Sequence, residues 1–245
     1  MVPIHLYTAS GPAGPGFDHI GTMALANATT LWGNAQKLAT YDIVMNSCQC
    51  DQVAAEKTQA MMDNMKAYAD AGGRIFSSHY GNVWIGGETG VPTHAPAVWK
   101  SIATWTDNYP SASMDVIDQV NNPKGASFAT WMQNVGGSTS VGQVPIDEAS
   151  FRQTVNTLDQ TKAERWVYWD SGAGVYPQNF QFTTPNEAAQ DQRCGKVVFS
   201  DMHVGGDQEP SGAFPDACST GPLSPQEKAL AFMFFDIASC VGPVF

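Results

Sequence analysis

Two histidines in this sequence stand where a buried strand would deliver an imidazole into a turn. The run Gly72-Gly73-Arg74-Ile75-Phe76-Ser77-Ser78 leads into His79, and Gly195-Lys196-Val197-Val198-Phe199-Ser200-Asp201-Met202 leads into His203. A pair of imidazoles brought together supports two kinds of chemistry. As neutral ligands they hold a divalent metal, which activates water for hydrolysis. His19, Asp18 or Asp201 then supplies the third ligand, with His79, His203 and His19 as the expected metal set. Without a metal, one imidazole acts as general base and the other as acid, with Asp201 or Asp207 as orienter. Both schemes make His79, His203 and Asp201 the candidate catalytic residues. The same residues also fit a third reading, in which the histidines only hydrogen-bond loops and stack on aromatic rings, the relict of a lost active site.

Other side chains compete for a role. Tyr80, Trp84, Trp99 and Trp105 follow the first histidine closely and could form a groove. Aromatic platforms on a surface of low charge suit sugar rings, which gives Tyr80, Trp84 and Asp18 as candidate ligand-binding residues and a carbohydrate as candidate ligand. The same tryptophans equally serve as core. Cys50 is a second candidate nucleophile. Ser77 and Ser78 lack the Gly-x-Ser-x-Gly elbow of a serine hydrolase. Asp201, Asp207, Glu209 and Asp216 lack the spacing of a calcium loop and read as a solvated stretch. His5 and His94 read as structural or exposed.

The elements that must position these groups follow from periodicity. Residues 2–8 read as a short strand, followed by a Gly/Pro-rich loop. Tyr41-Asp42-Ile43-Val44-Met45-Asn46 is an apolar run of the kind buried on both faces. A helix follows, with Asp51 as its expected cap and Gly72-Gly73 as its end. The run from Arg74 closes a strand–helix–strand unit, so the sheet is at least partly parallel. Residues from about 84 to 160 read as a Trp-rich insertion with short helices. Residues 164–169 and 179–183 alternate like antiparallel strands, and Lys196–Asp201 is another buried strand. The last helix carries Ser224 as cap, Pro225 in its first turn and Glu227 closing a capping box, with Leu230, Phe234 and Ile237 at helical spacing. One domain over residues 1–245 is expected.

Composition narrows the classes of function. Only 14% of the 245 residues are charged and the net charge is −11, which speaks against nucleic-acid binding. No run is apolar and long enough to span a membrane. Met1-Val2-Pro3 leads into an apolar stretch without a charged leader region, so a targeting segment, if the protein is exported, would precede residue 1. The five cysteines, with few lysines, favour an oxidising compartment, either extracellular or at the cell surface. Cys48, Cys50 and Cys218 belong at the edge of the sheet where parallel strands end, whereas Cys194 and Cys240 belong at the opposite edge. That placement suggests the disulfides Cys194–Cys240 and Cys48–Cys218, with Cys50 free.

The two histidine segments carry a family resemblance. The first looks like the nucleophile elbow of class I glutamine amidotransferases, with His79 where that family has a cysteine. The second is similar to the strand that bears the family's catalytic histidine, matched by His203. The trehalose-utilisation (ThuA-like) branch is closer, since its Gly-Gly strand also ends in histidine and its later Gly-Lys/Arg-Val-Phe strand also leads to one. Closest is an uncharacterised myxobacterial family of surface proteins that often carry an upstream carboxypeptidase-regulatory-like domain. That family is matched at residues 41–48, 72–79 and 223–230, and it carries a further strand–helix unit ahead of the part matched here. The resemblance implies an α/β fold with a mostly parallel, flavodoxin-like sheet. It also implies no glutamine hydrolysis through an elbow thiolate. The expected function is a hydrolase acting on, or a domain binding, carbohydrate-type ligands through a site centred on His79 and His203. The alternative is a non-catalytic structural or adhesion module of a larger surface protein.

Overall fold

The computed structural model describes residues 4–11, 14–15, 19–20, 23–87, 90–204 and 222–239. Nine strands and three longer helices organise it. They are β1 (Ile43–Asn46), α1 (Gln59–Asp70), β2 (Arg74–Ser78), β3 (Ala103–Asn108), β4 (Met114–Ile117), α2 (Gly125–Asn134), β5 (Gln143–Pro145), β6 (Gln153–Leu158), β7 (Glu164–Asp170), β8 (Val175–Thr184), β9 (Gly195–Ser200) and α3 (Pro225–Ala238). Seven strands form one sheet in the order β5-β4-β7-β8-β9-β2-β1, while β3 and β6 pair as a separate antiparallel ribbon.

The expectation of a mostly parallel, flavodoxin-like sheet holds only in part. β1, β2 and β9 run parallel, and the remaining pairings of the sheet are antiparallel. Connection length gives the reason. α1 provides the crossover that a parallel β1–β2 pair requires, whereas residues 171–174 and 185–194 join β7 to β8 and β8 to β9 without one.

The apolar strands are buried on both faces, and their period of two sorts the side chains between two layers. Ile75, Val197 and Phe199 join a cluster with Met62 and Met65 of α1, Trp32 and Trp105. Phe76 and Val198 face the other way, towards Phe128 and Met132 of α2 and Leu230, Met233 and Ile237 of α3. Lys196 tolerates burial in β9 because its ammonium meets the Asp236 carboxylate of α3 at 2.9 Å.

α3 starts as its sequence dictates, with the Ser224 and Glu227 capping box and Pro225 in the first turn. α1 does not start at Asp51. The chain first turns through Cys50 and Val53, at φ 60° and 43°, and Ala54–Glu56 forms a 3-10 turn. Thr58 then caps α1 by accepting from the Met61 amide. Gly72, at φ 107°, ends the helix as expected. Of the short strand expected at residues 2–8, the described residues 4–8 hold only Tyr7–Thr8, which pairs with Ala26–Asn27 outside the main sheet.

The stretch from 84 to 160 supplies β4 and β5 to the sheet, the β3/β6 ribbon and α2. Its tryptophans mostly fill core. Trp84 is 1% exposed and meets Trp32 edge-on at 5.0 Å, while Trp99 and Trp105 pack on Phe182 and Phe199.

Candidate functional site

Parallel strands present their C-terminal ends along one edge, and this edge gathers the chemistry. Asn46 of β1 lies opposite Ser77 of β2, and Ser78 opposite Ser200 of β9, so the three strands stop together. Cys48, His79 and His203 follow these ends.

His79 occupies the left-handed region at φ 42° and opens a 3-10 turn over His79–Trp84. A residue with a Cβ pays roughly 1–2 kcal/mol for that conformation. The turn requires Gly81, where a Cβ would stand 2.8 Å from the Asn46 carbonyl oxygen. This is a strand-to-helix elbow with an imidazole at its apex.

The donor atoms converge. Cys48 Sγ lies 3.3 Å from His79 Nδ1, and the His79 and His203 rings meet edge-on with centroids 4.5 Å apart. One ligand atom from each of Cys48, His79 and His203 falls within 4.8 Å of the others. Backbone contacts hold the frame. The Cys48 amide donates to Ser78 Oγ at 3.1 Å, the Cys50 amide donates to Cys48 Sγ at 3.3 Å, and Gln226 of α3 donates to the His203 carbonyl at 2.8 Å.

Burial keeps Cys48 and His79 uncharged. Burial pushes the His79 pKa down to about 3, with His203 and Arg152 adding to the effect, so the ring is neutral at physiological pH. Its Nε2 is buried and has no hydrogen-bond partner. Burial also raises the Cys48 thiol pKa, against the opposing pull of the Cys50 and Tyr80 backbone. Neutral imidazole beside protonated thiol is the opposite of a resting thiolate–imidazolium pair. Two imidazoles and a sulfur are donors that suit zinc or a similar ion.

Asp201 ends up fully buried, with its oxygens accepting from the Thr154 amide and hydroxyl, each at 2.6 Å. Burial pushes its pKa up to about 6, despite those two hydrogen bonds. Tyr80 is half-buried with its ring 3.9 Å from that of His79, and its hydroxyl meets Tyr109 at 2.5 Å and Asp107 at 3.1 Å. Trp84, expected at a ligand groove, is withdrawn into the core because the turn after His79 directs it inward against Trp32. His5 and His94 are exposed.

Of the remaining expected site residues, Asp18 and Asp207 lie outside the described residues. His19 belongs to a two-residue strand paired with Met23–Ala24. Among the described residues Cys48, Cys50 and Cys194 are free thiols, while Cys218 and Cys240, the expected disulfide partners, lie outside them.

Sequence reasoning placed Cys48 at this edge but suggested it for a disulfide with Cys218, and did not count it among the site residues beside which the structure sets it. It also missed Asp107, Tyr109 and Arg152, which arrive from the β3/β6 ribbon and have no local signature.

Comparison with solved structures supports the fold. A ThuA-like protein of Bacteroides uniformis ATCC 8492 superposes with a TM-score of 0.51 at 12% identity, covering 89% of this chain and 78% of that one. A cytoplasmic protein of Salmonella typhimurium, STM3548, gives 0.37 at 13% identity, covering 81% of this chain and 83% of that one, too distant in space to bear on the fold. No family model matches the chain. No curated protein matches it. The chain therefore has a ThuA-like α/β fold, with a cysteine and two histidines gathered at the end of its parallel strands. Among the described residues no helix is long and apolar enough to cross a membrane.

Proposed function

We propose that Cys48, His79 and His203 hold a divalent metal ion and that the protein is a hydrolase for carbohydrate-type ligands. The observation that carries the reading is the convergence of three donor atoms within 4.8 Å at the end of the parallel strands. His79 Nε2, buried without a partner, adds to it, since such a group costs free energy unless something binds there. A three-donor set leaves a coordination position open, as catalytic rather than structural zinc sites do. A bound ion supplies Lewis-acid activation of water. Asp201, two residues before His203, is the carboxylate nearest in sequence to this set and the candidate proton acceptor. The hydroxyl-bearing rings of Tyr80 and Tyr109, with Asp107 between them, offer a rim suited to a sugar's hydroxyl groups.

The test is cobalt titration of the purified protein. A sulfur-to-cobalt charge-transfer band in the wild type, absent in Cys48→Ser, is the expected result, together with cleavage of chromogenic glycosides or sugar esters that a chelator abolishes. Titration without such a band would remove Cys48 from the ligand set.

An extracellular or surface location is part of the same proposal, supported by the five cysteines and the sparse charge. Intact mass with and without reductant checks it, with a mass increase on reduction expected.

A further inference from the structure

Arg152 stands just ahead of β6, with its side chain half-buried. Its Nη1 donates to the carbonyls of Ala149 and Phe151 at 3.2 and 2.8 Å, and its guanidinium carbon lies 5.0 Å over the Tyr109 ring. The Tyr109 hydroxyl meets that of Tyr80, whose ring lies 3.9 Å from that of His79 and is tilted 36° to it. A short chain of contacts thus joins the guanidinium to the candidate metal centre.

Two carbonyls and one ring fix the plane of the group and leave Nε and Nη2 without hydrogen bonds among the described residues. No carboxylate of the described residues lies within ion-pair distance of it. The neighbouring acids are already engaged, Asp107 by the hydroxyls of Tyr80 and Tyr109 and Asp201 by Thr154. The charge of Arg152 is nevertheless felt at both His79 and Asp201. In a chain of net charge −11, a cation fixed in this position with no carboxylate partner among the described residues is a specific local feature. A guanidinium with a held plane and two unspent donors matches an oxyanion.

We propose that Arg152 is an anion subsite, taking a carboxylate or phosphoryl group of the ligand while the reacting bond lies at Cys48, His79 and His203. The ligand is then an acidic sugar or a sugar phosphate rather than a neutral one. The position of the reacting bond rests on the metal-centre reading; the anion subsite does not.

Calorimetric titration of the full chain with glucuronate, glucose 6-phosphate and glucose tests this, using the wild type, Arg152→Gln and Arg152→Lys. At least one anion is expected to bind, with glucose about tenfold weaker or more. Arg152→Gln is expected to weaken that anion by about tenfold or more, the loss of a charge-assisted contact, and to leave metal content unchanged. The anion that binds separates a carboxylate from a phosphoryl ligand. Should Arg152→Gln fail to fold, Arg152→Lys carries the comparison, because an ammonium cannot make the two-pronged contact. Glucose binding as tightly as both anions, binding of neither anion, or an Arg152→Gln protein with wild-type anion affinity would each overturn the proposal. Anion binding through Arg152 in protein that takes up no metal would sink the metal reading and leave the subsite standing.

Discussion

At His79 a strand ends on a left-handed residue, and the conformation sets the imidazole at the sheet edge instead of in the sheet. The two histidines were legible because each follows an apolar run bounded by Gly. Cys48 was legible in position but not in role, since a thiol two residues past a strand serves a disulfide or a metal equally well. Arg152 was not legible at all, because only tertiary packing of the β3/β6 ribbon brings it near His79.

The same scale holds a test of the electrostatics. Asp115 is completely buried with neither carboxyl oxygen hydrogen-bonded, and burial holds its pKa well above the usual carboxylate range, with the charge of Asp201 adding to the effect. Above the unfolded pKa the unfolded chain releases this proton while the folded chain keeps it, so stability falls as pH rises. Asp115→Asn is therefore expected to melt higher than wild type at pH 7, with the gap closing as pH falls below about 4. A gap of the same size at both pH values would contradict the assignment.

Among the elements, the strand–helix–strand unit at 43–78 and the capping box of α3 were both readable from local signals. Strand direction beyond that unit was not. It depends on whether a connection has room for a crossover, and the short links around β8 do not provide it. The tryptophans were ambiguous for a related reason, as ring count does not say which face a loop turns inward.

Two substitutions probe how the elements hold the site. A Cβ at Gly195 would lie 1.8 Å from the Ala69 carbonyl oxygen of α1, where strand and helix backbones touch. Gly195→Ala should cost about 1–3 kcal/mol in denaturant unfolding, the usual range for overpacking. Ser224→Ala removes the α3 cap and should cost about 1 kcal/mol. Because Gln226 of α3 holds the His203 carbonyl, this variant should also weaken metal uptake, read by titration.

For the whole molecule, a ThuA-like fold was already implied by the two Gly-initiated strands that end in histidine, and the Bacteroides structure bears it out at the level of fold. A metal held by Cys48, His79 and His203, which follow the ends of β1, β2 and β9, would tie the three strands together and so should stabilise the fold. Zinc at a hundred times its dissociation constant would add about 2.7 kcal/mol to the unfolding free energy, visible as a rise in Tm. The most direct measurement is the metal content of untagged protein by elemental analysis, comparing wild type with Cys48→Ser and with the His79→Ala/His203→Ala double variant. The account predicts one equivalent in the wild type and a large loss in both variants. Metal-free wild type after incubation with zinc, or variants that retain the full equivalent, would contradict it.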